Sequence, residues 1–137
     1  MANETCITIS TDADIVTARQ RGRELAQSIG FSGTDLTIIA TAISEVARNI
    51  LTFAREGEII LTEHTTPRPS IGIVARDEGP GIRDIPQVMQ DGYSTRVGLG
   101  LGLPGCRRLM DEFQLESTWG SGTTIKMKKW LRADPNQ

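Results

Sequence analysis

Histidine is nearly absent from this 137-residue chain, where His64 is the only one. No serine or carboxylate pattern surrounds it, so neither Ser-His-Asp nor Cys-His catalysis finds support. Cysteine is almost as scarce. Cys6 and Cys106 stand a hundred positions apart and outside any CxxC spacing, which reads as a reduced cytoplasmic pair rather than a disulfide or a metal site. Neither sign of charge is in excess: 15 Lys and Arg face 17 Asp and Glu, a formal net charge of -2. No strongly basic face is forced, so no nucleic acid and no membrane surface is expected as a partner. No apolar run approaches the roughly 18 residues that a bilayer crossing needs. Met1-Ala2-Asn3-Glu4 has no cationic region and no apolar stretch after it, so a signal peptide is not expected. Repeats and low-complexity segments are also missing. What remains is an ordinary globular composition, 38% apolar and 23% charged, at a length that fits one domain over residues 1–137.

Glycine, by contrast, is concentrated. Of 14 glycines, nine fall between Gly79 and Gly122. The elements around them follow from periodicity. Thr5 to Ser10 alternates and reads as an edge strand. A helix follows to about Ser28, capped by Asp12 or Asp14 and stopped by Gly30, with Arg19, Arg21 and Arg23 on its outer side. The arginines read as a solvated face or as a contact for an acidic partner. Ser32 or Thr34 caps a second helix reaching about Arg55, whose apolar positions Leu36, Ile39, Ile43, Val46 and Ile50 mark it as a core helix. Strands over 58–64 and 70–76 flank a proline-bearing turn and form a hairpin. After at most one short helix near Ile85–Met89, a helix runs from Cys106 to Phe113, and strands over 114–119 and 123–131 close the chain. The order β α α β β α β β predicts an α/β two-layer sandwich with a mixed, mostly antiparallel sheet and helices on one face.

Four segments carry candidate chemistry. Asp77 ends an apolar strand and is followed by Gly79-Pro80-Gly81, a turn that brings bare backbone close to a bulky group. A carboxylate fixed there suits a hydrogen-bond donor such as the exocyclic amine of adenine. Glu45 and Asn49 share one face of the second helix at i and i+4. Burying such groups unpaired costs about 2–7 kcal/mol for the neutral one alone. A hydrated Mg²⁺ held by the amide oxygen, with Glu45 as a proton acceptor, is one resolution; a partly solvated pair is the other. Gly98-Leu99-Gly100-Leu101-Gly102-Leu103-Pro104-Gly105 opens a helix, so free N–H groups and the positive helix end gather where a phosphate would sit. No lysine follows as in a P-loop, and no strand precedes as in a dinucleotide fold. A flexible loop packing its leucines is the bland reading. Gly120-Ser121-Gly122 is a hairpin turn or a site element in which the Thr123 hydroxyl orients Asp77. Arg96 is either a γ-phosphate contact or a solvated loop residue.

Taken in this order, the segments resemble the boxes of the GHKL ATPase/kinase superfamily. Glu45-x-x-x-Asn49 looks like its N box and Asp77-x-Gly79-x-Gly81 its G1 box. Gly98-x-Gly100-x-Gly102 looks like its G2 box, and Gly122-Thr123 like its last. Small size and the N-box sequence point to the anti-sigma-factor serine kinases, and within them to stressosome switch kinases. The resemblance implies a Bergerat fold and a protein serine/threonine kinase that uses ATP and Mg²⁺. It implies STAS-domain stressosome proteins as phosphoryl acceptors, and a regulatory phosphatase that the released kinase activates in a sigma-factor cascade. On the same resemblance Asp77, supported by Thr123, takes the adenine amine, and Gly79 and Gly81 admit the base. Asn49 holds Mg²⁺, Glu45 is the general base, and Gly98, Gly100 and Gly102 cover the phosphates. An ATP-gated binding module and the ATP-binding half of a histidine kinase are the rival readings.

Overall fold

The computed structural model describes residues 3–82, 85–90 and 102–132. The chain runs β1 (Asn3–Ile9), α1 (Asp12–Ile29), α2 (Thr34–Phe53), β2 (Gly57–His64), β3 (Ser70–Asp77), α3 (Ile85–Val88), α4 (Gly102–Leu109), β4 (Glu112–Thr118) and β5 (Gly122–Trp130). The five strands form one sheet in the order β1-β2-β3-β5-β4. Every described pairing is antiparallel, where the sequence allows a mixed sheet. β1 lies at an edge, as expected. The chain leaves the sheet after β3, returns at the far edge as β4, and folds β5 back into the gap beside β3. That crossover sets the end of β3 against the start of β5.

The period-2 patterning of the strands sends Ile7, Ile9, Ile59, Leu61, Ile71, Ile73, Ala75, Ile125 and Met127 to one face, where all are buried. α2 covers that face with Ile39, Ile43, Val46 and Ile50, and α1 adds Ile15, Ala18 and Ala26. By length and composition α2 passes for a membrane-crossing helix, but 56% of its apolar window is buried inside the fold, as befits a core helix. α1 comes close to α2 because Gly22 has no side chain; a Cβ there would overlap Ile43 Cδ1.

Several boundaries differ from expectation. Thr11, not Asp12 or Asp14, is the N-cap of α1. Its hydroxyl accepts from the Asp14 N–H at 3.3 Å, and Asp14 returns a bond to the Thr11 N–H at 3.0 Å, a reciprocal box that spacing alone leaves open. Gly33 caps α2 with no side-chain bond, so neither Ser32 nor Thr34 does so. α4 begins at Gly102, four residues before the expected Cys106. Pro104 tolerates this because the first turn needs no N–H from it. The helix stops at Leu109, whose carbonyl accepts from Lys129 Nζ at 3.2 Å, and β4 starts at Glu112.

Candidate functional site

One row of residues crosses the end of the sheet. Asp77, the last residue of β3, faces Thr123 of β5, and Thr123 faces Ser117 of β4. Directly opposed residues of antiparallel strands share a face, so the three side chains stand side by side. Asp77 is 6% exposed and Thr123 3% exposed. Asp77 Oδ1 accepts from the Gly79 N–H at 3.0 Å, and the Thr123 backbone N–H lies near the carboxylate across the strand pair. Burial pushes the Asp77 carboxyl above its ordinary value, and those two N–H groups pull it part of the way back. The expected support from the Thr123 hydroxyl takes another form. That hydroxyl pairs with Ser117 Oγ at 2.7 Å, and Thr123 faces Asp77 across the strand pair.

The glycines of the turn are needed for a different reason than a bare surface for a ligand. A Cβ on Gly79 would overlap Ala54 Cβ and come within 2.7 Å of Ala54 Cα, so this glycine seats the turn on the end of α2. Gly81 has φ +85°, and a Cβ there would overlap the Thr118 carbonyl, so it seats the turn on β4. Both bare Cα positions face protein. Gly57 plays a comparable part, because a Cβ there would lie 2.8 Å from Ile50 Cγ2 and 3.0 Å from Asp77 Cβ. It lets Asp77 settle against α2 beside Ile50, the residue after Asn49.

Further along α2 lies the polar pair. Asn49 is 6% exposed, and its Nδ2 is buried without a hydrogen-bond partner among the described residues. Burial without pairing is costly, so this amide nitrogen is an exception among the described buried polar groups. Glu45, one turn away and half-buried, accepts from the Gly102 N–H at 3.1 Å. Gly102 has φ +69° and is the first residue of α4, so this contact ties the start of that helix to α2. Cys106 lies just behind it, its Sγ 3.9 Å from the Ala42 carbonyl. Burial, with a smaller contribution from the Glu45 charge, pushes its thiol up to about 12, so it is inert as a nucleophile. Arg96, Gly98 and Gly100 lie outside the described residues.

The structure thus brings Asp77, Thr123, Gly79 and Gly81 together at one end of α2 and Glu45, Asn49 and Gly102 along its length. A recess of about 520 Å³ also opens at this end of the sheet, lined by Thr8, Ala54, Glu58, Arg76, Asp77 and Gly79 among others. Neither Glu45, Asn49 nor Thr123 lines it, so it is separate from the α2 pair. Among the described residues no group of three or more His, Cys, Asp or Glu could hold a metal ion. A single amide oxygen still fits Mg²⁺, which keeps most of its ligands from water and phosphate. Ser117 and Gly57 escaped the sequence reading. A hairpin centred on Gly120 already puts Ser117 opposite Thr123, and that was the available signal.

Residues 9–129 match the family described as Histidine kinase-like ATPase domain. Over 134 residues the chain is 52% identical to the serine/threonine-protein kinase RsbT of Bacillus subtilis (strain 168), covering 96% of this chain and all of that protein. It is 34% identical over 105 residues to an anti-sigma F factor of Thermoanaerobacter sp. (strain X514), covering 73% of each. The fold is similar to a solved structure of the RsbU and RsbW domains of a Mycobacterium tuberculosis protein. The TM-score is 0.65 at 18% identity, and the match covers 95% of this chain but only 32% of that longer one. The chain belongs to the histidine kinase-like ATPase domain family, on the branch that holds serine/threonine-protein kinases and anti-sigma factors.

Proposed function

We propose that this chain is a protein serine/threonine kinase that transfers the γ-phosphate of ATP to serine or threonine hydroxyls of STAS-domain stressosome proteins. It acts by partner switching: once released, the kinase binds and activates a regulatory phosphatase in a sigma-factor stress-response cascade. The observation that carries this reading is the α2 pair, a buried amide with an unpaired nitrogen one turn from a carboxylate that a helix N-terminus holds in place.

The nine steps from Glu45 to Ala54 rise about 13 Å along the helix. Adenine is taken at the Asp77 end and the phosphates lie toward Gly102. Gly79 and Gly81 shape the adenine end by holding its turn on α2 and β4. Gly98, Gly100 and Arg96 are the further residues that the sequence resemblance assigns to the phosphates. Asn49 would hold Mg²⁺ through its amide oxygen, and a half-turn of the amide exchanges oxygen and nitrogen at no steric cost. The ion supplies neutralisation of phosphate charge. Glu45 takes the proton of the acceptor hydroxyl as that oxygen bonds the γ-phosphorus; the bond to the bridging oxygen breaks and ADP leaves. Such chemistry asks a protein mainly to position groups and offset charge, which two polar side chains and a glycine segment suffice to do.

The test incubates the protein with labelled ATP-Mg²⁺ and STAS-domain proteins and maps the modified residue. Acid-stable phosphoserine or phosphothreonine is expected. Acid-labile phosphohistidine would assign the histidine-kinase reading, and ATP binding without any transfer would assign the gated binding module. Glu45→Gln is expected to bind ATP as the wild type does and to lose transfer by about 10²–10⁴-fold, the range of general-base catalysis. Transfer at the wild-type rate would remove Glu45 from that role.

A further inference from the structure

Ser117 makes three contacts at the adenine end of the site. Its Oγ accepts from the Ile82 N–H at 2.7 Å, lies 2.7 Å from Thr123 Oγ1 and lies 3.2 Å from the Gly122 carbonyl oxygen. A serine hydroxyl has one proton and two lone pairs. The Ile82 N–H fills one lone pair. The Gly122 carbonyl can only accept, so that contact needs the serine proton. Only one assignment makes all three contacts hydrogen bonds: Ser117 donates to Gly122, and Thr123 donates to Ser117. The Thr123 hydroxyl is then spent as a donor and presents lone pairs alone to its other neighbours. Asp77, its opposite on β3, is likewise an acceptor when ionised.

We infer that Ser117 is a positioning residue for base selectivity: by consuming the Thr123 proton, it makes the Asp77–Thr123 row acceptor-only and so specific for a base edge that carries an amino donor. This rests on the reading that Asp77 marks the adenine end. Thr123 on its own would be indiscriminate, because a free hydroxyl rotates to donate to a carbonyl as readily as it accepts from an amine. Ser117 touches no base. Its effect passes through the proton of Thr123.

Binding of ATP and of inosine triphosphate, which carries a carbonyl where adenine carries its amine, is measured on the full chain with Mg²⁺. The wild type prefers ATP. Ser117→Ala frees the Thr123 proton and narrows that preference about tenfold, the weight of one net hydrogen bond. Loss of the Ile82 and Gly122 contacts loosens the turn but weakens both nucleotides alike, so the ratio separates the two effects. Ser117→Thr keeps the hydroxyl and restores the preference. With Thr123→Val already in place, adding Ser117→Ala leaves the ratio where it was. Should Ser117→Ala not fold, Ser117→Cys keeps the volume with a poor acceptor and narrows the preference in the same sense. An unchanged ratio in a folded Ser117→Ala or Ser117→Cys protein overturns the inference. Wild-type protein that binds neither nucleotide overturns the adenine-end reading itself, and this inference with it.

Discussion

Replacing Asp77 by asparagine separates what the carboxylate does for a ligand from what it does for the fold. A carboxylate offers acceptor sites on both oxygens, and Oδ1 already accepts from the Gly79 N–H. An amide keeps a single acceptor oxygen. If that oxygen stays with Gly79, the NH₂ group faces the adenine amine, donor against donor. The lost hydrogen bond to a charged group is worth about 1.5–3 kcal/mol and the unpaired donor costs about 1–3 kcal/mol more. Together these are on the order of 10²–10⁴ in Kd, which takes ATP binding out of the range of calorimetric titration. Stability moves the other way. Burial raises the Asp77 carboxyl above its ordinary value, so the folded state holds the ionised group at a disadvantage at neutral pH. The nucleotide-free variant is therefore expected to melt at or slightly above the wild-type temperature. ATP titration and thermal unfolding on the same samples read both effects. Asp77→Asn protein that binds ATP within a factor of two of wild type would refute the assignment. A melting temperature many degrees lower would make Asp77 a structural residue instead.

Two further expectations concern the frame around the site. Gly79→Ala places a methyl against Ala54 at the end of α2, where the Ala54 Cα and the Phe53 carbonyl cannot yield as a flexible side chain would, and should cost about 1–3 kcal/mol in urea unfolding; a change under about 0.5 kcal/mol would mean that the turn shifts freely. Asp111 is pushed up by burial, but the Arg132 side chain, the Trp130 N–H and nearby positive charge outweigh that, leaving its carboxyl below the ordinary 3.8. A depressed folded value gives stability that is present above 3.8 and lost as pH falls through the folded value. The melting gap between wild type and Asp111→Asn should accordingly be full at pH 7 and close on acidification below that point, whereas a gap constant with pH would assign the effect to packing.

Local pattern was enough to specify the elements of this protein. Alternation in residues 58–64 and 70–76 and the 3.6-residue period of Leu36, Ile39, Ile43, Val46 and Ile50 depend only on neighbours in the chain, and each became the expected strand or helix. The same holds for the chemistry of single positions. A carboxylate before Gly-Pro-Gly, and an acid and an amide one turn apart on an apolar helix, announce themselves by residue type. Helix ends were less legible, because capping depends on which of several adjacent hydroxyls and carboxylates turns toward the backbone. Thr11 won over Asp12 and Asp14 on that account. What sequence order left undecided was which groups meet. Insertion of β5 between β3 and β4 puts Asp77, Thr123 and Ser117 in one row, and that adjacency belongs to the sheet rather than to any segment. The glycines show the same division. Their clustering marks the site in the sequence, but only tertiary contact reveals that Gly79 and Gly81 are bare in order to meet α2 and β4, and that Gly57 is bare where it meets Ile50 and Asp77.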